Sequence, residues 1–152
     1  MWPRRQLVAA AAIAASTVGF RTVLGQQPPG TGQGMPNMGS AGMTLQECID
    51  SCLKSHSMCL ETGRYCIEKG GMHVAGAHLA LLLDCAEMCQ TTANSLLRQS
   101  SQHAAICIAC AQICDACAQS CETFQSDERM RRTATTCRDC ASSCRMMSKL
   151  PI

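Results

Sequence analysis

Cys107 to Cys121 reads CIACAQICDACAQSC, with cysteines at 107, 110, 114, 117 and 121. The steps between them are 3, 4, 3 and 4, so all five fall on one stripe of an α-helix, the seam that a packed helix turns toward its partners. The intervening Ile, Ala, Gln and Asp suit a continuous helix. Working outward, the same phase recurs at Cys137, Cys140 and Cys144, at Cys85 and Cys89, and at Cys48, Cys52, Cys59 and Cys66. Fourteen cysteines thus lie on four inward stripes, and none precedes Thr44. Aromatic residues cannot build the core instead, because the chain holds only Tyr65 and Phe124 beyond Thr44, with Trp2 and Phe20 ahead of it.

Four helices are predicted around these stripes. The first opens on Thr44-Leu45-Gln46-Glu47, a capping box, and stops at Gly70-Gly71. The second covers about 74 to 98, the third runs from beyond Ser100-Ser101 to about Phe124, and the fourth follows Asp127, a capping residue, and ends before Pro151. Each is about 20 to 26 residues, or about 30 to 39 Å long. Short connections force neighbours to run antiparallel, so the expected fold is all-α, an antiparallel up-down-up-down four-helix bundle with a cysteine-lined core over residues 44–152.

The preceding residues read differently. Arg4-Arg5 followed by the apolar run Leu7 to Val18 has the order of a secretory signal, and the paired arginines, in the imperfect context Pro3-Arg4-Arg5-Gln6-Leu7-Val8, indicate the twin-arginine route. The run is too short for a lasting membrane anchor. Residues 1–25 are therefore expected to be a signal peptide that sends the protein to the periplasm, and residues 26–43 a flexible linker rich in Gly, Pro, Gln and Met. From Thr44 onward ten Lys and Arg face eleven Asp and Glu, which leaves no basic footprint for nucleic acid.

So many thiols on inward stripes call for a chemical reason, since Ala or Val would pack such sites without the risk of oxidation. Disulfides suit an exported protein with an even cysteine count, but partners at i and i+3 or i+4 project side by side from one helix face, and disulfide scaffolds are loop-rich. Zinc draws its ligands from turns, and the cluster motif C-x2-C-x2-C-x3-C-P is absent. Cu(I) is soft, prefers thiolate and thioether, and tolerates few ligands, so bridging sulfurs multiply its sites along an axis. The C-x3-C pairs Cys48/Cys52, Cys85/Cys89, Cys110/Cys114, Cys117/Cys121 and Cys140/Cys144 are the best candidates for paired ligation. No Ser-His-Asp set, phosphate loop or singled-out reactive thiol pair points to an enzyme. An iron–sulfur or thiol redox protein, and a disulfide- or zinc-stabilised bundle, stay open as alternatives.

From Thr44 to the C-terminus the sequence resembles the bacterial copper storage proteins, the likeness resting on these C-x3-C and C-x2-C pairs. The resemblance implies reversible storage of multiple Cu(I) ions, roughly one for each inward cysteine, with exported members supplying copper-dependent recipient proteins outside the cytosol and some members self-associating. It also implies an entrance of His and Met at one end of the bundle. Here Met72, His73, His78 and Met130 are expected to gather there with Cys66 and Cys121, since His78 precedes Cys85 by seven and Met130 precedes Cys137 by seven. His56 and His103 are read as solvated residues at the margin of the stripe, Met147 as closing the opposite end, and Met35, Met38 and Met43 as part of the linker.

Overall fold

The computed structural model describes residues 42–152, so the expected signal peptide, the twin-arginine pair and the linker as far as residue 41, with Met35 and Met38, lie outside the described residues. Four α-helices follow: α1 (Leu45–Lys69), α2 (Gly76–Leu97), α3 (His103–Glu122) and α4 (Glu128–Met147). The described residues contain no strand.

The helix starts are those the capping chemistry dictates. Thr44 Oγ1 accepts from Glu47 N at 3.2 Å, and Glu47 Oε2 accepts from Thr44 N at 2.8 Å, which closes the reciprocal box. Asp127 Oδ1 accepts from Met130 N at 3.3 Å at the start of α4. Gly70 and Gly71 both take positive φ and end α1. They lead into a 3-10 turn, Gly71–Val74, so α2 begins two residues later than the sequence pattern suggests.

The end of α2 has a stop that composition does not announce. Ser100 N donates to Ser95 O at 3.1 Å and Gln99 N to Leu96 O at 2.9 Å, the two bonds of a Schellman motif. The left-handed position of that motif belongs to Gln99, with φ of 49°, where glycine is the usual occupant.

Cross-helix pairs define the packing. Between α1 and α4 the partners are Cys52 with Cys144, Cys59 with Cys137 and Thr62 with Thr133, so one number rises as the other falls. Between α2 and α3, Cys85 meets Cys114 and Cys89 meets Cys110, again in opposite directions. Each helix packs on its neighbours in sequence and α1 packs on α4, while across the diagonals only core side chains meet, as Cys89 of α2 meets Cys140 of α4. This is compatible with the up-down-up-down order expected of short connections.

The core lies on the axis of this square. All fourteen cysteines have 0% exposure, joined by Leu82, Leu96, Met130, Met147 and a scatter of alanines. Cysteine and alanine are small, so the helices approach closely without aromatic filling. Among the described residues α3 is the one helix apolar and long enough, by length and composition alone, to cross a membrane. Its apolar character is shared among the five cysteines it turns inward, three isoleucines and six alanines.

Replacing Gln99 with Gly should relieve the left-handed strain and raise the stability of the copper-free protein by about 1 kcal/mol. Urea unfolding measures this, and an unchanged or lower midpoint would contradict the assignment.

Candidate metal centre

The stripes place sulfur against sulfur along the bundle axis. Cys89 and Cys114 Sγ atoms are 3.5 Å apart, and Cys52–Cys144, Cys59–Cys137 and Cys85–Cys114 are each 3.6 Å apart. Cys89–Cys110, Cys89–Cys140 and Cys52–Cys140 follow at 3.8 Å. The C-x3-C pair Cys110–Cys114 lies at 3.9 Å within one helix. The closest approaches are therefore made between helices, a feature that spacing along one helix cannot display. All fourteen cysteines are free thiols.

These contacts resolve into four groups in which the sulfurs lie within 4.8 Å of one another: Cys48/Cys107/Cys144; Cys52/Cys110/Cys140/Cys144; Cys89/Cys110/Cys114/Cys140; and Cys59/Cys85/Cys117/Cys137. The first three share members, with Cys144 in two groups and Cys110 and Cys140 in two. Cys85 joins the third to the fourth through its contact with Cys114. A closed tetrahedral zinc site takes four Cys or His ligands of its own, which only the unshared group Cys59/Cys85/Cys117/Cys137 could supply. Shared sulfurs instead suit a soft ion that accepts bridging thiolates and few ligands.

The surroundings split the thiols: hydrogen bonds from neighbouring thiols lower the pKa of Cys48, Cys85, Cys110 and Cys140, while others are raised. Burial, then the charges of Cys121 and Asp127, push the Cys66 thiol up to about 11, against a smaller opposing pull from Lys69. Cys107, Cys110, Cys140, Cys48 and burial together drive Cys144 upward. A thiolate in this dry interior needs neighbouring thiols or a bound cation to offset its charge.

The comparisons with known proteins agree with this geometry. A family model described as copper storage protein matches residues 42–149. The chain belongs to the copper storage protein family. A crystal structure of a protein from Nitrosospira multiformis is 44% identical, with a TM-score of 0.65, over 69% of this chain and 94% of that one. The Cu(I)-bound copper storage protein BsCsp3 is 27% identical, with a TM-score of 0.64, over 68% of this chain and 96% of that one. The apo form of copper storage protein 3 from Bacillus subtilis is 26% identical, with a TM-score of 0.61, over 69% and 99%. No match was found among curated proteins.

Within this copper storage fold the expected entrance residues separate into two sets. His78 is buried, with Nε2 3.7 Å from Cys66 Sγ and Nδ1 2.8 Å from Ser120 Oγ. Burial, and then the charge of His73, lowers the His78 pKa and favours a neutral ring with a lone pair for metal. Met130 is fully buried. Met72, by contrast, is 75% exposed on the 3-10 turn. His73 Nε2 lies 3.0 Å from Asp127 Oδ2, and its ring stacks on Phe124 with centroids 4.4 Å apart.

Asp127, which sequence reasoning saw only as a cap, organises the polar contacts beside His73. Its Oδ2 also accepts from Tyr65 Oη at 2.8 Å and from Lys69 Nζ. Although burial opposes ionisation, these donors and His73 hold the carboxyl well below the usual carboxylate range. The signal was present in Tyr65 and Lys69, one turn apart on α1, but only the fold brings Asp127 to them. His56 Nδ1 lies 2.9 Å from the Ala86 carbonyl, tying α1 to α2, and His103 Nε2 lies 2.9 Å from the Leu150 carbonyl. Met147 is buried at the opposite end, and Met43 is partly buried against the core rather than free.

Because Cys66 keeps its proton in the folded state where the unfolded chain has lost it, its contribution to copper-free stability is whole below about pH 8.5 and declines as pH rises toward 11. Urea midpoints measured across that window should fall. A midpoint that holds constant or rises would contradict the raised thiol.

Proposed function

We propose that this copper storage protein holds multiple Cu(I) ions on its fourteen inward cysteines, as an exported reservoir that supplies copper-dependent proteins outside the cytosol. The observation that carries the reading is the chain of shared sulfur groups running from Cys48, Cys107 and Cys144 to the layer of Cys59, Cys85, Cys117 and Cys137. Each thiol of these groups has at least two sulfur neighbours, so one ion can be held by two or three and the next can share one of them. Binding releases the thiol protons and replaces them with a cation, which turns an interior hostile to thiolates into a neutral one.

Storage, rather than turnover, is the role that suits this arrangement. The thiols face each other with no exposure, whereas a catalytic thiol needs access and an activating group. The surface groove of about 440 Å³ beside α3 and α4 is lined by Glu122, Gln125, Arg131, Ala134, Thr135 and Arg138, and no cysteine reaches it. Export rests on Arg4-Arg5 and the apolar run behind them. Folding before translocation, as the twin-arginine route allows, would shelter the thiols from oxidation in the periplasm.

Titrating the reduced copper-free protein with Cu(I) against a chromophoric chelator should give roughly one ion per inward cysteine, hence more than ten per chain. Saturation at one to four ions would reject storage, and a brown chromophore after anaerobic purification would favour an iron–sulfur protein. For export, fractionation of cells producing the full chain should recover it from the periplasm. The double variant Arg4→Lys, Arg5→Lys should leave it in the cytosol, and periplasmic recovery of that variant would overturn the twin-arginine assignment.

A further inference from the structure

The column of thiols is interrupted once, near the end that carries His78. Cys66 and Cys121 belong to none of the four sulfur groups. Between Cys66 and the layer of Cys59, Cys85, Cys117 and Cys137, three of the four helices supply no thiol. On α1 and α4 the intervening residues are Thr62 and Thr133, both fully buried, with Oγ1 atoms 2.8 Å apart. Thr133 Oγ1 donates to the Arg129 carbonyl at 2.8 Å, so the bridging proton comes from Thr62 and both hydroxyls are committed. On α2 the residue between His78 and Cys85 that faces the core is Leu82, with no exposure. Hydroxyl and hydrocarbon are poor company for a soft cation. Only α3 carries a thiol at this level, Cys121, one helical turn from Cys117 on the same face, as Thr133 is from Cys137.

Beyond the neck, register places Cys66, His78 and Met130, all buried, in the last core layer, with Phe124 from just past the end of α3 against the His78 ring at 4.8 Å. At the far end of the bundle the core closes with Ile49, Leu96 and Met147, which are buried and apolar or thioether in character. The thiol column is thus open to nitrogen and sulfur ligands at one end and reaches them by a single step.

We propose that the Thr62–Thr133 bridge and Leu82 divide the protein into two copper pools, a terminal exchange layer and a twelve-thiol store, and that the Cys121 to Cys117 step on α3 is the only thiol route between them. This deepens the storage reading and rests on it. In the transfer, a bond from Cu(I) to Cys117 Sγ forms as the bond to Cys121 Sγ breaks, and the proton displaced from the Cys117 thiol passes to the Cys121 thiolate. Copper stays Cu(I), and no oxidant or reductant is required. The store loads and empties at a rate set by this one exchange, while its capacity is set by the twelve thiols behind the neck.

The test measures rate and capacity separately on the reduced full bundle, with Cu(I) supplied as a coloured chelator complex and followed by stopped flow. Cys121→Ser should slow filling by about tenfold, equivalent to about 1.4 kcal/mol in barrier, while capacity falls by only one or two ions. Adding Thr62→Cys to that variant returns a thiol to the neck and should restore much of the rate. The single variant Thr62→Cys should speed filling above the parent protein, so the proposal stays testable even where Cys121→Ser folds poorly. A Cys121→Ser protein that fills at the parental rate, or a Thr62→Cys protein that fills no faster, overturns the relay. A parent capacity of one to four ions would instead overturn storage itself, so the two failures are told apart.

Discussion

Everything in this bundle depends on the cost of a negative charge in a dry core. A thiolate buried without a partner is strongly disfavoured, so the fourteen buried free cysteines need neighbouring thiols or cations to offset any charge they take on. The fold meets that constraint by grouping the sulfurs instead of scattering them. Each group offers several donors within 4.8 Å, enough for a soft ion to be held and for neighbouring ions to share ligands. Small side chains make the grouping sterically feasible, because a core of Cys and Ala lets the helices come close enough for sulfur to touch sulfur across them.

The polar features serve that interior from its edge. Asp127 caps α4, anchors the end of α1 through Tyr65 and Lys69, and holds His73 in the loop between α1 and α2. Phe124 lies against both His73 and His78, with ring centroids 4.4 and 4.8 Å away. The loop that covers the His78 end is thereby tied to three helices, and His78 is left with one nitrogen on Ser120 and the other toward Cys66. A helix cap and an imidazole facing the Cys66 thiol are joined in one network, which links the local stability of this end to its side-chain chemistry.

Much of this was legible in the sequence, for physical reasons that differ by element. The cysteine stripes, the Thr44–Glu47 box, the Gly70-Gly71 stop and the Asp127 cap are local chemistry, and each stands where the sequence pattern puts it. The end of α2 was harder to read because Gln99 occupies a left-handed position that glycine normally marks. Heptad spacing identified His78 and Met130, since both continue a buried stripe. It could not place Met72 and His73, whose surroundings are set by the 3-10 turn and by Asp127 from 54 residues away. The interhelical sulfur contacts and the Thr62–Thr133 bridge were likewise beyond sequence, because they depend on the register between helices.

The most direct test of the central claim is anomalous diffraction at the copper edge from crystals of the fully loaded protein. Copper peaks should form a line along the bundle axis, from the level of Cys48 and Cys107 to that of Cys59 and Cys137, each within bonding distance of cysteine sulfurs from one or two helices. Copper confined to surface histidines and methionines, with the inward cysteines free or oxidised, would contradict the account.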